Sequence, residues 1–425
     1  MSEQTAKGFR ELDPITSITD TRDILSHATK QAESYEDYFL VDIDAHVTET
    51  QFWPEIIARI DNDVIRQMGE AMSKHPGVDG MALPNSGNTA LLNIAPGMVY
   101  QPLHGRIPHQ AGLLEPVEAE GCHHFTELAR RAMDAMGIDY QVVFPTPMLL
   151  LGMHPEDEIE VALSKAYNRW STECILPDDP RLKGLAYLPF NTPEACVEEV
   201  ERYAKDPNII GFTVTSTRNR PIHHNRYMRL YSMIEETGKP LVWHSGFNWS
   251  DPSFAQLNRF ISMHALSFVH YSLIHLTNWI INGLPERFPK LKLLWVESGC
   301  VWIPFLMQRL DHEYMMRSSE APALKRLPSE YMRDMYYTTQ PLERSNQKIL
   351  QCTLEAFNAE TQLLFASDWP HWDFDPPSTI TMLPFLSDQA KRNILGLNAA
   401  KLFNLEVKRM RPRAKDVLAA RPGRS

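Results

Sequence analysis

Several large protein classes need features that this chain lacks. No window reaches the ~18 consecutive apolar residues of a membrane span. The opening stretch, MSEQTAKGFRELD, is polar and lacks the charged-then-apolar layout of a secretory signal, so a cytoplasmic protein is expected. Cysteine is scarce. Cys122, Cys174, Cys196, Cys300 and Cys352 are scattered and never form C-x-x-C. That argues against a disulfide framework or a zinc knot and for reduced thiols. There is no cationic excess either: 42 Lys and Arg face 53 Asp and Glu, a net charge of -11. A nucleic-acid partner would want a basic face. Phosphate-loop, dinucleotide and G-x-S-x-G signatures are missing, which argues against ATP, NAD and serine-hydrolase chemistry.

What is present is ordinary globular material, 43% hydrophobic and 22% charged. The 425 residues allow one large α/β barrel or two medium domains. Residues 1–37 read as a polar arm without a core, and 407–425 as a basic, Pro/Gly-punctuated tail, solvated or wrapped on a partner. Residues 50–120 show turn chemistry (GVDG, LPNSGN, APG) and no regular alternation, so a lid, a binding loop or an oligomer contact is expected there.

The rest, residues 38–406, is rhythmic. Apolar runs at 39–47, 138–147, 182–190, 209–216, 240–246, 291–299, 336–341 and 363–371 read as strands, each followed by a helical pattern. Near-continuous apolar strands imply a parallel sheet covered on both faces. Eight such units favour a closed (β/α)8 TIM barrel over an open sheet.

Active sites of such barrels lie at the C-terminal ends of the strands. Strand one ends in Asp44-Ala45-His46, strand five in Trp243-His244-Ser245-Gly246, strand six in Glu297-Ser298-Gly299 and strand eight in Ser367-Asp368-Trp369-Pro370-His371. Any one of these residues alone is weak evidence, since a lone Asp before a helix is often a cap. Their convergence at one mouth points to a metal, because buried ligand-type side chains are costly unless something binds them. His264, near the start of the helix after strand five, is a candidate substrate contact, whereas His270 and His275 read as packed residues. His123-His124 and His223-His224 read as helix starts, and His104 and His109 could enter only from a folded-over loop. Trp243, Phe247, Trp249, Trp302, Trp369 and Trp372 are packing residues by default and a substrate lining by alternative.

The D-x-H, W-H-S-G and S-D-W-P-H motifs, with GLPERFPKLKLLWVESG and RNILGLNAAKLFNL, resemble the amidohydrolase superfamily. The resemblance is to its branch of aminocarboxymuconate-semialdehyde and γ-resorcylate-type decarboxylases, and it covers residues 38–406. It implies that Asp44, His46, His244 and Asp368 bind a divalent metal (Zn, Mn or Fe, one or two ions per chain). Where the branch carries a catalytic histidine, this chain has Glu297. Glu297 is then a proton-transfer residue or a further ligand, with His371 and His264 as other candidates for the chemistry. The implied activity is hydrolysis or non-oxidative decarboxylation of a small carboxylate substrate. Two alternatives stand beside it: an oxygen-dependent non-haem iron hydroxylase working with a related subunit, favoured by the carboxylate-rich set, and a non-catalytic partner subunit. A homo- or hetero-oligomer is expected, with no membrane and no nucleic acid.

Overall fold

A computed structural model describes residues 21–73 and 119–420, apart from 247, 249, 250, 255 and 372. Eight strands form one parallel sheet in the order β1 to β8: Val41–Val47, Tyr140–Pro145, Leu182–Tyr187, Ile209–Thr215, Leu241–His244, Leu293–Val296, Tyr336–Thr338 and Leu363–Leu364. β8 runs on past its ladder and closes against β1. Ile43 N donates to Phe365 O, Asp368 N to Asp44 O and His46 N to Trp369 O, at 3.1, 2.7 and 2.7 Å. This is the (β/α)8 barrel that the strand count implied.

Two apolar layers hold it. Val41, Ile43, Val142, Phe144, Leu185, Val242, Leu294, Val296 and Leu364 fill the lumen, and Leu402 and Phe403 of the closing helix Asn398–Phe403 join them. The opposite strand faces, including Trp243 and Trp295, pack under the helices. Alternation along each strand therefore serves two cores, so the strands read as unbroken apolar runs. The register of β1 slips between Asp42 and Ala45. Ile43 stays in the lumen while Asp44 and His46 both reach the site above it, a common use of a bulge.

Three segments differ from their sequence reading. The arm was given no core, yet helix Thr21–Gln31 packs on helices His124–Met136 and Ala414–Ala420, and Ala28, Ala32 and Tyr35 are buried. The basic tail was read as solvated or partner-bound. Instead Arg411 is buried, donating to Tyr38 O at 2.9 Å, Glu36 O at 3.0 Å and Asp139 Oδ2 at 3.3 Å. The stretch read as irregular from residue 50 begins with helices Trp53–Ile57 and Asp63–Ser73, whose Trp53, Ile56, Ile57 and Ile65 are buried. These short apolar stretches bury themselves on neighbours distant in sequence, which local periodicity does not reveal. The rest of that stretch, with His104 and His109, lies outside the described residues.

Candidate metal centre

Five side chains meet where β1, β5, β6 and β8 end. Asp44, His46, His244 and Asp368 are fully buried and Glu297 is 4% exposed. His46 Nε2 lies 3.2 Å from both Asp44 Oδ1 and Asp368 Oδ1. His244 Nε2 lies 3.1 Å from Asp44 Oδ1 and 3.6 Å from Glu297 Oε2. Two overlapping sets, Asp44/His46/His244/Glu297 and His46/Asp368/His371, each place one ligand atom per residue within 4.8 Å of the others.

Both central imidazoles are oriented from behind. His46 Nδ1 donates to Pro145 O at 3.0 Å, and His244 Nδ1 to Ser245 O at 2.7 Å. Carbonyls only accept, so each ring turns Nε2 toward the carboxylates, the arrangement a metal-binding histidine needs. Four buried atoms at the centre, Asp44 Oδ2, His46 Nε2, Glu297 Oε2 and Asp368 Oδ2, have no hydrogen-bond partner. Buried polar atoms are seldom left so. A divalent cation would satisfy the atoms of Asp44, His46 and Asp368, a proton would satisfy that of Glu297, and the mixed nitrogen and oxygen donors suit Mn, Fe or Zn.

The electrostatics divide the carboxylates. Burial works to raise Asp44 and Asp368, but the adjoining imidazoles outweigh it and hold both below the usual range. Glu297 has no such support. Burial first, then Asp368 and Asp44, push it well above the ordinary carboxylate value. Burial acts to lower His46, and Asp368 and Asp44 overcome it and lift it to about 10.

The backbone is unusual at two of these residues. Glu297 and Asp368 have φ of 58° and 61°, a left-handed conformation that Asp tolerates and Glu rarely adopts. The Glu297 turn is pinned on several sides. Glu297 N donates to Thr338 Oγ1 at 3.1 Å, and Ser298 Oγ sits 2.6 Å from Ser245 Oγ and 2.9 Å from Ser272 Oγ. Asp42 ties the β1–β8 seam, accepting from Ser367 N at 2.8 Å, Ser367 Oγ at 2.6 Å and Gln141 Nε2 at 3.0 Å.

The remaining candidates fall around this centre. His371 is part-buried, with Nδ1 2.6 Å from Asp368 Oδ1. Burial is the main cause that pushes His264 down to about 4, Asp368 and His371 also act on it, and its ring packs on Phe268. His275 is buried and bonds Ser216 O, and His270 packs on Phe254 and Tyr271. His123 and His224 cap helical turns by accepting from Phe125 N and Arg226 N. Trp243 stacks on Trp295 under the helices, Trp302 packs on Tyr337 and Trp369 lies near Phe125. Phe247, Trp249 and Trp372 lie outside the described residues. Sequence reasoning missed Thr146, Glu49, Asp42 and Ser272. Thr146 directly follows β2, so the strand-end rule would have found it.

A closed barrel with a metal-type centre at its mouth defines a class, and comparison with known proteins names it. Residues 41–405 match the amidohydrolase family model, and the chain belongs to that family. Over 285 residues it is 23% identical to γ-resorcylate decarboxylase of Polaromonas sp., covering 65% of this chain and 86% of that one. The crystal structure of 5-carboxyvanillate decarboxylase from Sphingomonas paucimobilis superposes with a TM-score of 0.62 at 23% identity, covering 87% of this chain and all (100%) of that one. A dihydroxybenzoic acid decarboxylase of Polaromonas sp., solved with manganese and the inhibitor 2-nitroresorcinol, gives 0.57 at 18% identity, covering 87% and 97%. Among the described residues no helix is long and apolar enough to cross a membrane.

Proposed function

We propose that the chain is a metal-dependent carboxy-lyase that releases CO2 from a small aromatic carboxylate. The observation that carries this reading is the buried centre at the barrel mouth, where Asp44 Oδ2, His46 Nε2 and Asp368 Oδ2 have no hydrogen-bond partner. Its relatives are decarboxylases, one of them solved with manganese.

Asp44, His46, His244 and Asp368 are the ligands in this reading. A divalent ion held by them would balance the two carboxylates that stay ionised and would supply positive charge to polarise the substrate. Glu297, held neutral by burial and by its anionic neighbours, is the acid. It gives its proton to the ring carbon that bears the carboxylate. The carbon–carboxyl bond then breaks, its electron pair returns to the ring, and CO2 leaves. Glu297 regains a proton from solvent. Aromatic carboxylate plus proton thus becomes arene plus CO2.

The iron-hydroxylase and non-catalytic readings draw no support from these relatives. Hydrolysis would use the same ligands and differ in its product. The test is metal content and CO2 release from a panel of hydroxybenzoates, for wild type, His46→Ala and Asp368→Ala with Mn2+ added. Both variants are expected to lose the ion and the activity. Wild-type metal content and turnover in both would falsify the assignment.

A further inference from the structure

Two histidines of the centre meet at one hydroxyl. Thr146 Oγ1 lies 3.4 Å from His46 Nδ1 and 3.3 Å from His371 Nε2. The other partners of these rings fix the direction of each bond. Pro145 O, 3.0 Å from His46 Nδ1, only accepts, so that nitrogen carries a proton. Asp368 Oδ1, 2.6 Å from His371 Nδ1, also accepts as a carboxylate, so His371 carries its proton there. A neutral ring with Nδ1 as donor presents Nε2 as acceptor, and the Thr146 hydroxyl faces it. Thr146 therefore donates to His371, and from His46 it receives only a share of the Nδ1 proton that Pro145 O takes at the shorter distance. One directed chain runs from His46 through Thr146 and His371 to Asp368, with a candidate ligand at each end. Both nitrogens of His371 are thereby engaged, which gives it the task of orienting Asp368 rather than binding the ion itself.

The backbone of Thr146 is held as firmly as its hydroxyl. Residues 145–148 are Pro-Thr-Pro-Met, and proline has no N–H, so this stretch offers only the amides of Thr146 and Met148. Both donate to the fully buried carboxylate of Glu49, at 2.8 and 2.6 Å. Glu49 stands three residues past His46 at the exit of β1. It anchors the segment whose carbonyl and hydroxyl contact the His46 ring.

We propose that Thr146, anchored by Glu49, is a positioning residue that holds the His46 and His371 rings in the orientation their Pro145 and Asp368 partners define, and so fixes the donor atoms offered to a divalent ion. The inference rests on the metal-centre reading above. Thr146→Val removes the hydroxyl and keeps the branched shape, while Thr146→Ser keeps the hydroxyl. Mn2+ affinity of the full chain is measured by chelator competition. The His371 tautomer is read in the metal-free protein by NMR with nitrogen-15 histidine. Thr146→Val is expected to weaken Mn2+ binding about 10- to 100-fold, the usual cost of losing such a partner, and to shift the His371 nitrogen signals. Thr146→Ser should keep both near wild type, and Glu49→Gln should weaken binding in the same direction as Thr146→Val. Wild-type affinity and signals in Thr146→Val overturn the inference, and so does an equal loss in Thr146→Ser. His46→Ala separates the two levels. If it too keeps Mn2+, the metal-centre reading fails; if it alone loses Mn2+, only the positioning role fails.

Discussion

At the scale of single residues, the centre is a contest between burial and charge. Asp44 and Asp368 are held below the usual carboxylate range because imidazoles adjoin them, and burial pushes Glu297, without that support, well above it. Glu297→Gln keeps the shape and removes the transferable proton. A fall in kcat of about 10²- to 10⁴-fold is expected, the usual worth of a general acid, with Mn2+ content unchanged. An unchanged kcat would remove Glu297 from the chemistry. The charges also set a pH dependence. The pKa of His46 rises from 6.5 to about 10 on folding without metal. Its contribution to stability is whole below the unfolded value and is lost as pH climbs through the folded one. The metal-free protein should thus melt lower at about pH 9 than at about pH 6. A divalent ion held by His46 would take the place of that proton and flatten the slope, which calorimetry with and without added Mn2+ checks. Asp44, His46, His244, Glu297 and Asp368 were all visible in the sequence, because polar residues that end apolar runs stand out. Thr146 was within reach of the strand-end rule, whereas Glu49 was not, since a glutamate in a turn looks ordinary until its partners are known.

At the scale of elements, strands and helices were legible from their periodicity, and their interruptions were less so. The bulge in β1 that brings Asp44 to the centre leaves no mark in the alternation. The closing helical stretch was read as one piece, yet it contains a wider turn, Asn393–Leu397. There Gly396 lets the backbone approach that of the chain entering β1, and a methyl group would collide with the Phe39 carbonyl. Gly396→Ala is expected to cost about 1–3 kcal/mol, as overpacking usually does. Chemical denaturation measures it, and a neutral or stabilising effect would show that the contact relaxes freely.

At the scale of the whole molecule, the two ends of the described chain lock together beneath the barrel. Arg411 and Asp139 are both buried, and the same guanidinium bridges to the segment before β1. Removing one partner of such a pair strands the other charge. Arg411→Ala should destabilise the fold by about 3–5 kcal/mol, while Mn2+ affinity at the far mouth stays near wild type. Loss of Mn2+ binding with no change in stability would contradict that picture. The basic, Pro/Gly-punctuated tail suggested solvent or a partner, whereas the fold uses part of it as an internal strap.

The sequence by itself determined the barrel, its strand order and the residues that stand at its mouth. Strand–helix rhythm is a local property, and (β/α)8 closure makes strand ends converge whatever lies between them. Only the tertiary structure decided how those residues share protons and orientation. The Asp42 seam and the Thr146 relay join groups 97 to 325 residues apart, and the left-handed turn at Glu297 is tied across 26 to 53. The free energy of a buried polar atom depends on such partners, and the order of residues along the chain does not reveal them.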